Sequence, residues 1–309
     1  MAKRSGRRRW EALVEGVIYL SALTAIVALF LIFVFIGKEA LPILTSPEIQ
    51  EEANLSKLFL LQDGRFSWQP VSVIPKYSLL PLFVGTLKAT AVAMLFAIPL
   101  ALGAALFSSE FAPSWMKELI KPVIELLAGI PSVVLGFFAL MVMATYVQEA
   151  FGMVYRLNAI NAGIALGLAV IPIVYTVADD ALTAVPRSYR EASIAMGASS
   201  WQTAARVVFP AALPGILAAC VLGFGRAIGE TMIVLMASGN APVYSLALDK
   251  PIRTLSATVA AELGEVVVGS AHYHVLFFVG ICLFIFTFVL NLFGHWFVNR
   301  LQQKVLGSK

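Results

Sequence analysis

The sequence reads as an all-α membrane protein with six transmembrane helices. Hydrophobic residues fill 60% of its 309 positions and charged residues only 13%, a balance that a soluble domain does not reach. Six apolar runs, at about 14–37, 79–107, 123–147, 159–178, 207–238 and 275–298, match the roughly 20 residues a helix needs to cross the hydrocarbon. The lysines and arginines are shared unevenly between the connecting segments. With the N-terminus inside, thirteen of the 22 fall on cytoplasmic segments, seven on external ones, and Lys88 and Arg226 within the membrane. That bias places both termini in the cytoplasm. The net charge of +4 is explained by these flanks and is not a nucleic-acid signal.

The first run follows Lys3-Arg4-Ser5-Gly6-Arg7-Arg8-Arg9. It is too long for a signal-peptide core and lacks an A-x-A cleavage site, so it is expected to stay as the first membrane helix. Residues 1–78 then comprise a basic cytoplasmic segment, that helix and an external loop at 38–78. The loop carries turn formers (Pro42, Pro47, Asp63-Gly64, Pro70, Pro75) and the acidic residues Glu48, Glu51 and Glu52. Short helices or strands on the outer face are expected there. Asn54-Leu55-Ser56 fits a glycosylation sequon, which matters only in a eukaryotic secretory pathway. The other five helices occupy 79–298, with a cytoplasmic loop at 181–206, and 299–309 forms a cytoplasmic tail.

The second run contains Lys88, about 10 Å in from its outer end at 1.5 Å per residue. Snorkelling to the outer headgroups is the simplest expectation; the alternative is a basic residue lining an anion path. The third run opens with Glu125 and contains Gly129-Ile130-Pro131-Ser132, which either frees backbone groups for a cavity or kinks the helix. The fourth run ends at Asp179-Asp180, where polar sequence begins. Two capping boxes follow, Ser188-Tyr189-Arg190-Glu191 and Ser199-Ser200-Trp201-Gln202. Pro186 suits the entry to a helix, and Gly197 is a left-handed helix stop. The loop is therefore expected to form two short helices with a sharp turn. Glu191 is read either as a cap residue or as part of a surface that docks a partner.

The fifth run holds Arg226 and Glu230 near its middle and no other charge. A charge at that depth costs at least about 2.5–3.5 kcal/mol and normally faces a partner, a bundle interior or a water-filled path. Four residues apart on a helix, the two are placed to neutralise each other. A structural ion pair is the competing explanation, because Gly225-xxx-Gly229 interleaves with them at a spacing typical of close helix contact. The GxxxxGK[ST] phosphate loop is absent, so the chain is not expected to hydrolyse ATP or to act as an enzyme. Cys220 and Cys282 offer neither a disulfide framework nor a CxxC site. His272, His274 and His295 read as ordinary polar residues, and no metal site is expected.

Glu191-Ala192-Ser193-xxx-Gly197, followed by Val207-Val208-Phe209-Pro210, resembles the EAA---G---------I-LP loop of ABC-importer permeases. Ser193, Val207 and Phe209 depart mildly from it. Gly225-Arg226-Ala227-Ile228-Gly229-Glu230-Thr231-Met232 resembles the G-R-A-x-G-E-T block of phosphate-importer permeases, and Met232 after Thr231 looks like the PstC type rather than the PstA type. Leu126 to Gly136 is similar to a second block of that family. The resemblance covers about 65–298.

It implies the type I binding-protein-dependent ABC importer permease fold in a bacterial inner membrane. It further implies a second related permease (PstA type), two cytoplasmic ATPase subunits (PstB type) that bind ATP and Mg, and an external phosphate-binding protein (PstS type). No cofactor is expected on this chain. Glu191, Ala192, Gly197, Pro210 and Arg190 would belong to the ATPase-coupling region. Arg226, Glu230, Thr231, Ser132 and Lys88 are the candidate substrate path. A guanidinium stays charged when desolvated and matches phosphate oxygens in bidentate fashion. Glu230 would either hold Arg226 until substrate arrives or be protonated and donate a hydrogen bond. Another oxyanion such as molybdate or sulfate, carried by the same kind of permease, remains open. So does a secondary transporter driven by an ion gradient, although the inverted repeats of interrupted helices it calls for are not visible in the sequence.

Overall fold

The computed structural model describes residues 2–61 and 64–305, and within these no side chains of residues 2–9, 12 or 301–305. Asp63, Lys309 and the side chains of Lys3, Arg4, Arg7, Arg8, Arg9 and Lys304 thus lie outside the described residues. Six helical stretches among the described residues are long and apolar enough to cross a membrane: Leu13–Thr45, Leu80–Phe111, Ser132–Phe151, Ala159–Thr183, Ser200–Gly229 and Ala271–Arg300.

Helix α1 (Ala2–Ala40) leads into three short helices, α2 (Pro42–Thr45), α3 (Pro47–Glu52) and α4 (Leu55–Phe59), and a two-stranded hairpin of β1 (Trp68–Gln69) and β2 (Lys76–Tyr77). The hairpin is antiparallel, with Trp68 opposite Tyr77. The expected short elements of the 38–78 loop are therefore present. Next come α5 (Leu80–Leu106), which ends in a π-helical turn over Phe107–Phe111, and α6 (Ser114–Gly129). Helices α7 (Ser132–Phe138) and α8 (Ala144–Phe151) form one continuous crossing through a second π turn. They are followed by α9 (Ala159–Thr183), α10 (Arg187–Ala195), α11 (Ser200–Thr203), α12 (Phe209–Gly229), α13 (Met232–Ala237), α14 (Leu255–Glu262) and α15 (Ala271–Val305).

The centre of the bundle is α9, packed between α5 and α12. Lipid tails are as apolar as leucine, so helices in a bilayer associate by close packing, and small residues permit the closest approach. On α5, Ala89, Ala93, Ala97, Ala101 and Ala105 recur every fourth residue, each no more than 1% exposed. A Cβ on Gly167 of α9 would sit 2.7 Å from the Phe96 ring of α5, and one on Gly223 of α12 would sit 2.5 Å from Val174 of α9. The close-contact stripe of α12 is thus Gly215, Ala219, Gly223 and Ala227. It is not Gly225-xxx-Gly229, since Gly225 faces the Asn291 side chain of α15 and Gly229 faces open space. Helix α1 is peripheral: it touches α15 through Phe33 on Phe284 and Phe35 on Phe277.

The third crossing begins at Ser132 and not near residue 123. Pro131 has no N–H and disfavours a helical residue before it; Ile130 accordingly takes φ −68°, ψ 124° and ends α6. Helix α6 is a separate segment lying along the second half of α9, tied there by Lys121 Nζ at 3.7 Å from Asp179 Oδ2. The fourth crossing runs on to Thr183, past the expected end at residue 178. Asp179 is buried at 4% exposure, with the Lys121 ammonium as its nearest opposite charge. The fifth run is also broken, between α12 and α13. Gly136 of α7 backs onto Met232 and Ile233 at the start of α13, so the second break lies against α7 within about two turns of the first.

The loops at 38–78 and 239–274 share one end of the bundle. Glu262 is their common anchor. It accepts hydrogen bonds from Trp68 Nε1 at 3.1 Å and from Arg253, and His272 Nε2 lies 2.9 Å from its second oxygen. His274 turns away, its Nδ1 2.6 Å from the Glu39 carbonyl. The two histidines therefore do not converge, and no cluster of three metal-ligating residues occurs among the described residues. Lys88 does not snorkel to headgroups. It is 7% exposed, and its Nζ donates to the carbonyls of Ser245, at 3.1 Å, and Ala247. The 239–254 loop folds over the end of α5 and offers those acceptors, which is why the charge turns inward.

Burial pushes the Glu262 carboxyl up, but the hydrogen bonds from His272 and Trp68 and the Arg253 charge outweigh it and hold the group below its usual value of 4.5. A carboxyl lowered on folding stabilises fully above its unfolded value and loses that contribution as pH falls through the folded one. The melting temperature of the purified protein should therefore fall more steeply between about pH 5 and about pH 3 in the native chain than in Glu262→Gln. Parallel slopes would show that the cluster does not stabilise the fold.

Candidate functional site

Three contacts set the height of Arg226 against α9. Gly215 meets Ala181, Gly223 meets Val170 and Val174, and the carbonyl of Ala237 accepts from Asn161 Nδ2 at 2.9 Å. The two helices run antiparallel, so Arg226 stands level with Ala169 to Ile173, the middle of α9. It lies in the last turn of α12, exposed, and its guanidinium makes no hydrogen bond or ion pair among the described residues. Two clefts meet at it. One, of about 320 Å³, is lined by Ile124, Glu125 and Ala128 of α6, by Ala169, Pro172, Ile173, Thr176 and Val177 of α9, and by Arg226. The other, of about 780 Å³, lies between α12 and α15 and adds Thr287, Asn291 and His295. Both volumes suit a small-molecule site.

Arg226 and Glu230 do not pair. The helix stops at Gly229 and Glu230 is extended, with φ −68° and ψ 136°, so the expected i, i+4 relation is lost. Glu230 serves the break instead. Its Oε1 accepts the Thr231 N–H at 3.1 Å and its carbonyl accepts from Ser256 Oγ of α14 at 2.9 Å. Thr231 Oγ1 donates to the Gly229 carbonyl at 3.3 Å. Ser132 opens α7 after Pro131, one turn before Gly136, which backs onto α13. Glu230 and Thr231 thus make up the second break, and Ser132 follows the first. Lys88 is at the far end of α5, turned to the 245–247 carbonyls, and is not part of this group.

Two short helices joined by a sharp turn form at 187–203, as the loop was expected to. Gly197 has φ +85°, and hydrogen bonds from Gly197 N to Ile194 O and from Ala198 N to Ser193 O close a Schellman motif. Ser199 and Gln202 make the reciprocal capping box on α11. The first capping box does not form. Pro186 is the N-cap of α10 and Ser188 lies inside the helix, so Glu191 is not a cap residue.

Arg190 is not a free docking charge. Its guanidinium lies 2.6 Å from Glu110 at the end of α5 and donates to the carbonyls of Val185 and Leu182 just beyond and within α9. Hydrogen bonding to Glu110 raises its pKa further, so it stays charged. Trp201 stacks on Phe111 at 6.0 Å. Pro210 sits in the first turn of α12, after the π turn Ala204–Val208. Glu191 and Ala192 are exposed, beside the exposed apolar residues Tyr189, Ile194, Met196 and Trp201.

Glu125, Thr176, Thr287, Asn291 and His295 had not been singled out as site residues. Each is a polar residue in an apolar stretch, which is a visible signal, but only the folded helices bring them to Arg226.

Residues 97–307 match the model of the family described as "Binding-protein-dependent transport system inner membrane component". The chain is 31% identical over 300 residues to the "Probable ABC transporter permease protein YqgH" of Bacillus subtilis (strain 168), covering 97% of this chain and 94% of that one. It is 34% identical to "Phosphate transport system permease protein PstC 1" of Mycobacterium tuberculosis (strain ATCC 25618 / H37Rv), covering 74% and 75%. A further relative, "Phosphate transport system permease protein PstC" of Haemophilus influenzae (strain ATCC 51907 / DSM 11121 / KW20 / Rd), is 29% identical over 89% of this chain and 92% of its own.

Among solved structures, a bacterial ABC transporter involved in the import of the acidic polysaccharide alginate superposes with a TM-score of 0.62 at 16% identity, over 95% of this chain and 99% of that one. The MetNI methionine ABC transporter gives 0.56 at 19% identity, over 71% and 95%. At these identities the structures speak for the fold alone. The six apolar helices, the type I importer architecture and the match over residues 97–307 establish that the chain belongs to the binding-protein-dependent transport system inner membrane component family.

Proposed function

We propose that the chain is the PstC-type permease subunit of an ATP-driven importer of inorganic phosphate, and that Arg226 contacts the anion in transit. The observation that carries this is the Arg226 guanidinium on α12, level with the middle of α9, without a hydrogen bond or ion pair among the described residues, at the mouth of two clefts and one turn from a helix break. A translocating oxyanion needs a fixed positive site that does not lose its proton when dehydrated, and arginine provides one. Two of the curated relatives carry phosphate transport in their names. The subunit would work with a PstA-type permease, two PstB-type ATPases that bind ATP and Mg, and a PstS-type binding protein. The family match supports ATP-driven import over an ion-gradient mechanism.

Uptake of labelled phosphate into proteoliposomes holding the whole complex tests the site. Charge-assisted hydrogen bonds contribute about 1.5–3 kcal/mol each, so Arg226→Ala should lower uptake about 100-fold with assembly intact. Arg226→Lys keeps a charge without the planar fork and should fall between. An Arg226→Ala complex that assembles and transports at the native rate would leave Arg226 a structural residue. Preference of the native complex for molybdate or sulfate would keep the site and refute the substrate.

The loop at 181–206 is proposed to seat on an ATPase, with Glu191, Ala192 and the exposed Tyr189, Ile194 and Met196 at the contact. Gly197→Val forces a β-branched residue into left-handed geometry, at a cost of about 1–2 kcal/mol, and misdirects α11. Glu191→Lys reverses a charge on the docking face. Both variants should reach the membrane yet lose most of the ATPase stimulation given by loaded binding protein. Normal stimulation in Glu191→Lys would take Glu191 out of the contact.

The charge bias supports both termini and the 181–206 loop on the cytoplasmic side. In a cysteine-free background, single cysteines at Ser188 and Ser245 can be challenged with an impermeant maleimide on intact cells. Only Ser245→Cys should label; labelling of Ser188→Cys alone would invert the topology.

A further inference from the structure

We infer that Glu125 is the resting counter-charge of Arg226, and that the transported anion displaces it. The inference rests on the proposed role of Arg226. Among the described residues Glu125 is the carboxylate that lines a cleft with Arg226, while Glu230, four residues on in the chain, is already engaged by the Thr231 N–H at the start of α13. Glu125 lines the same 320 Å³ cleft as Arg226 and makes no hydrogen bond or ion pair among the described residues. The α15 side of Arg226 offers Thr287, Asn291 and His295 but no carboxylate.

The position of Glu125 is fixed from below. Lys121, one turn earlier on the same face of α6, is held 3.7 Å from Asp179 of α9, so α6 presents Glu125 to the next turn of α9, at Pro172 and Thr176. The remaining lining of the cleft is apolar apart from Thr176. In such a cleft a carboxylate attracts the guanidinium across a gap that still admits an anion. When an oxyanion arrives at Arg226 it competes with Glu125, and when it leaves, Glu125 restores balance. Glu125 thereby weakens retention of phosphate at the site, which favours release.

The test must separate this site from the high affinity of the binding protein. In proteoliposomes with the complete complex, phosphate on the ATPase side should inhibit uptake by occupying the inward-open cleft. Glu125→Gln should lower the half-inhibiting phosphate concentration about three- to tenfold, the scale of one removed charge in a partly hydrated cleft. A residue that only packs would change protein level and leave that concentration alone. An isosteric pair gives a second measurement should Glu125→Gln fail to assemble. Glu125→Cys, with Cys220→Ser and Cys282→Ser, is purified as the assembled complex and alkylated with iodoacetate or iodoacetamide. The carboxymethyl form should inhibit as the native protein does, and the neutral form should shift.

Equal half-inhibition in charged and neutral forms, with Arg226→Ala inactive, overturns the role of Glu125 and leaves that of Arg226. Native transport in Arg226→Ala overturns the reading on which this one rests.

Discussion

The rest of the structure depends on how closely the backbones of α5, α9 and α12 can approach. With no water to expel from between helices in a bilayer, the association rests on packing. This chain achieves it by omitting side chains at regular intervals. The alanines every fourth residue on α5 and the Gly215–Ala219–Gly223–Ala227 stripe on α12 leave α9 in contact on both sides. Close-packed backbones have one register, and that register puts Arg226 level with the middle of α9. The height of the charge follows from small residues elsewhere on its helix, whose only contribution is their lack of volume.

A break in a crossing helix must satisfy its freed backbone groups within the protein. At Glu230, Ser256 donates to the carbonyl and the carboxylate of Glu230 takes the Thr231 N–H. A carboxylate there also sits at the N-terminal end of α13, where the helix dipole favours negative charge. This accounts for an acidic residue beside the arginine proposed to contact the anion. Glu230 is used to build the bend that ends α12 just past Arg226, and the same bend carries it off the helix face it would have shared with Arg226.

What the sequence revealed and what it hid divide by distance along the chain. The six crossings, the left-handed Gly197 and the Ser199–Gln202 box are local, since each depends on residues within a turn or a run. Ser188 failed as a cap although it fits the local pattern, because Pro186 had already supplied the start of α10. The contacts of Arg190 and Lys88 were hidden for the opposite reason. Their partners, Glu110 and the 245–247 carbonyls, lie 80 and 157–159 residues away, and no periodicity points to them. Asp179 looked like the end of a helix because the charge it faces, Lys121, is on another segment. Charges in an apolar chain are conspicuous in sequence, but their partners are set by packing.

The same packing links the proposed coupling surface to the proposed anion site without a flexible joint between them. Arg190 clamps α10 to the end of α5 through Glu110 and to the end of α9 through the carbonyls of Leu182 and Val185. Helices α5 and α9 are in backbone contact along most of their length, and α9 meets α12 at Gly215 and Gly223. Close-packed interfaces shift between discrete arrangements and do not deform continuously. A displacement of α10, where the proposed coupling holds, would therefore pass to α5 and α9 as a whole-helix movement. It would reach Arg226 at the point where α12 ends, beside the break at Glu230 and Thr231. The α6 segment packs on the bundle core through Ile120 and Ile124 and is tied to α9 through Lys121 and Asp179, so a movement of α9 would carry Glu125 with it.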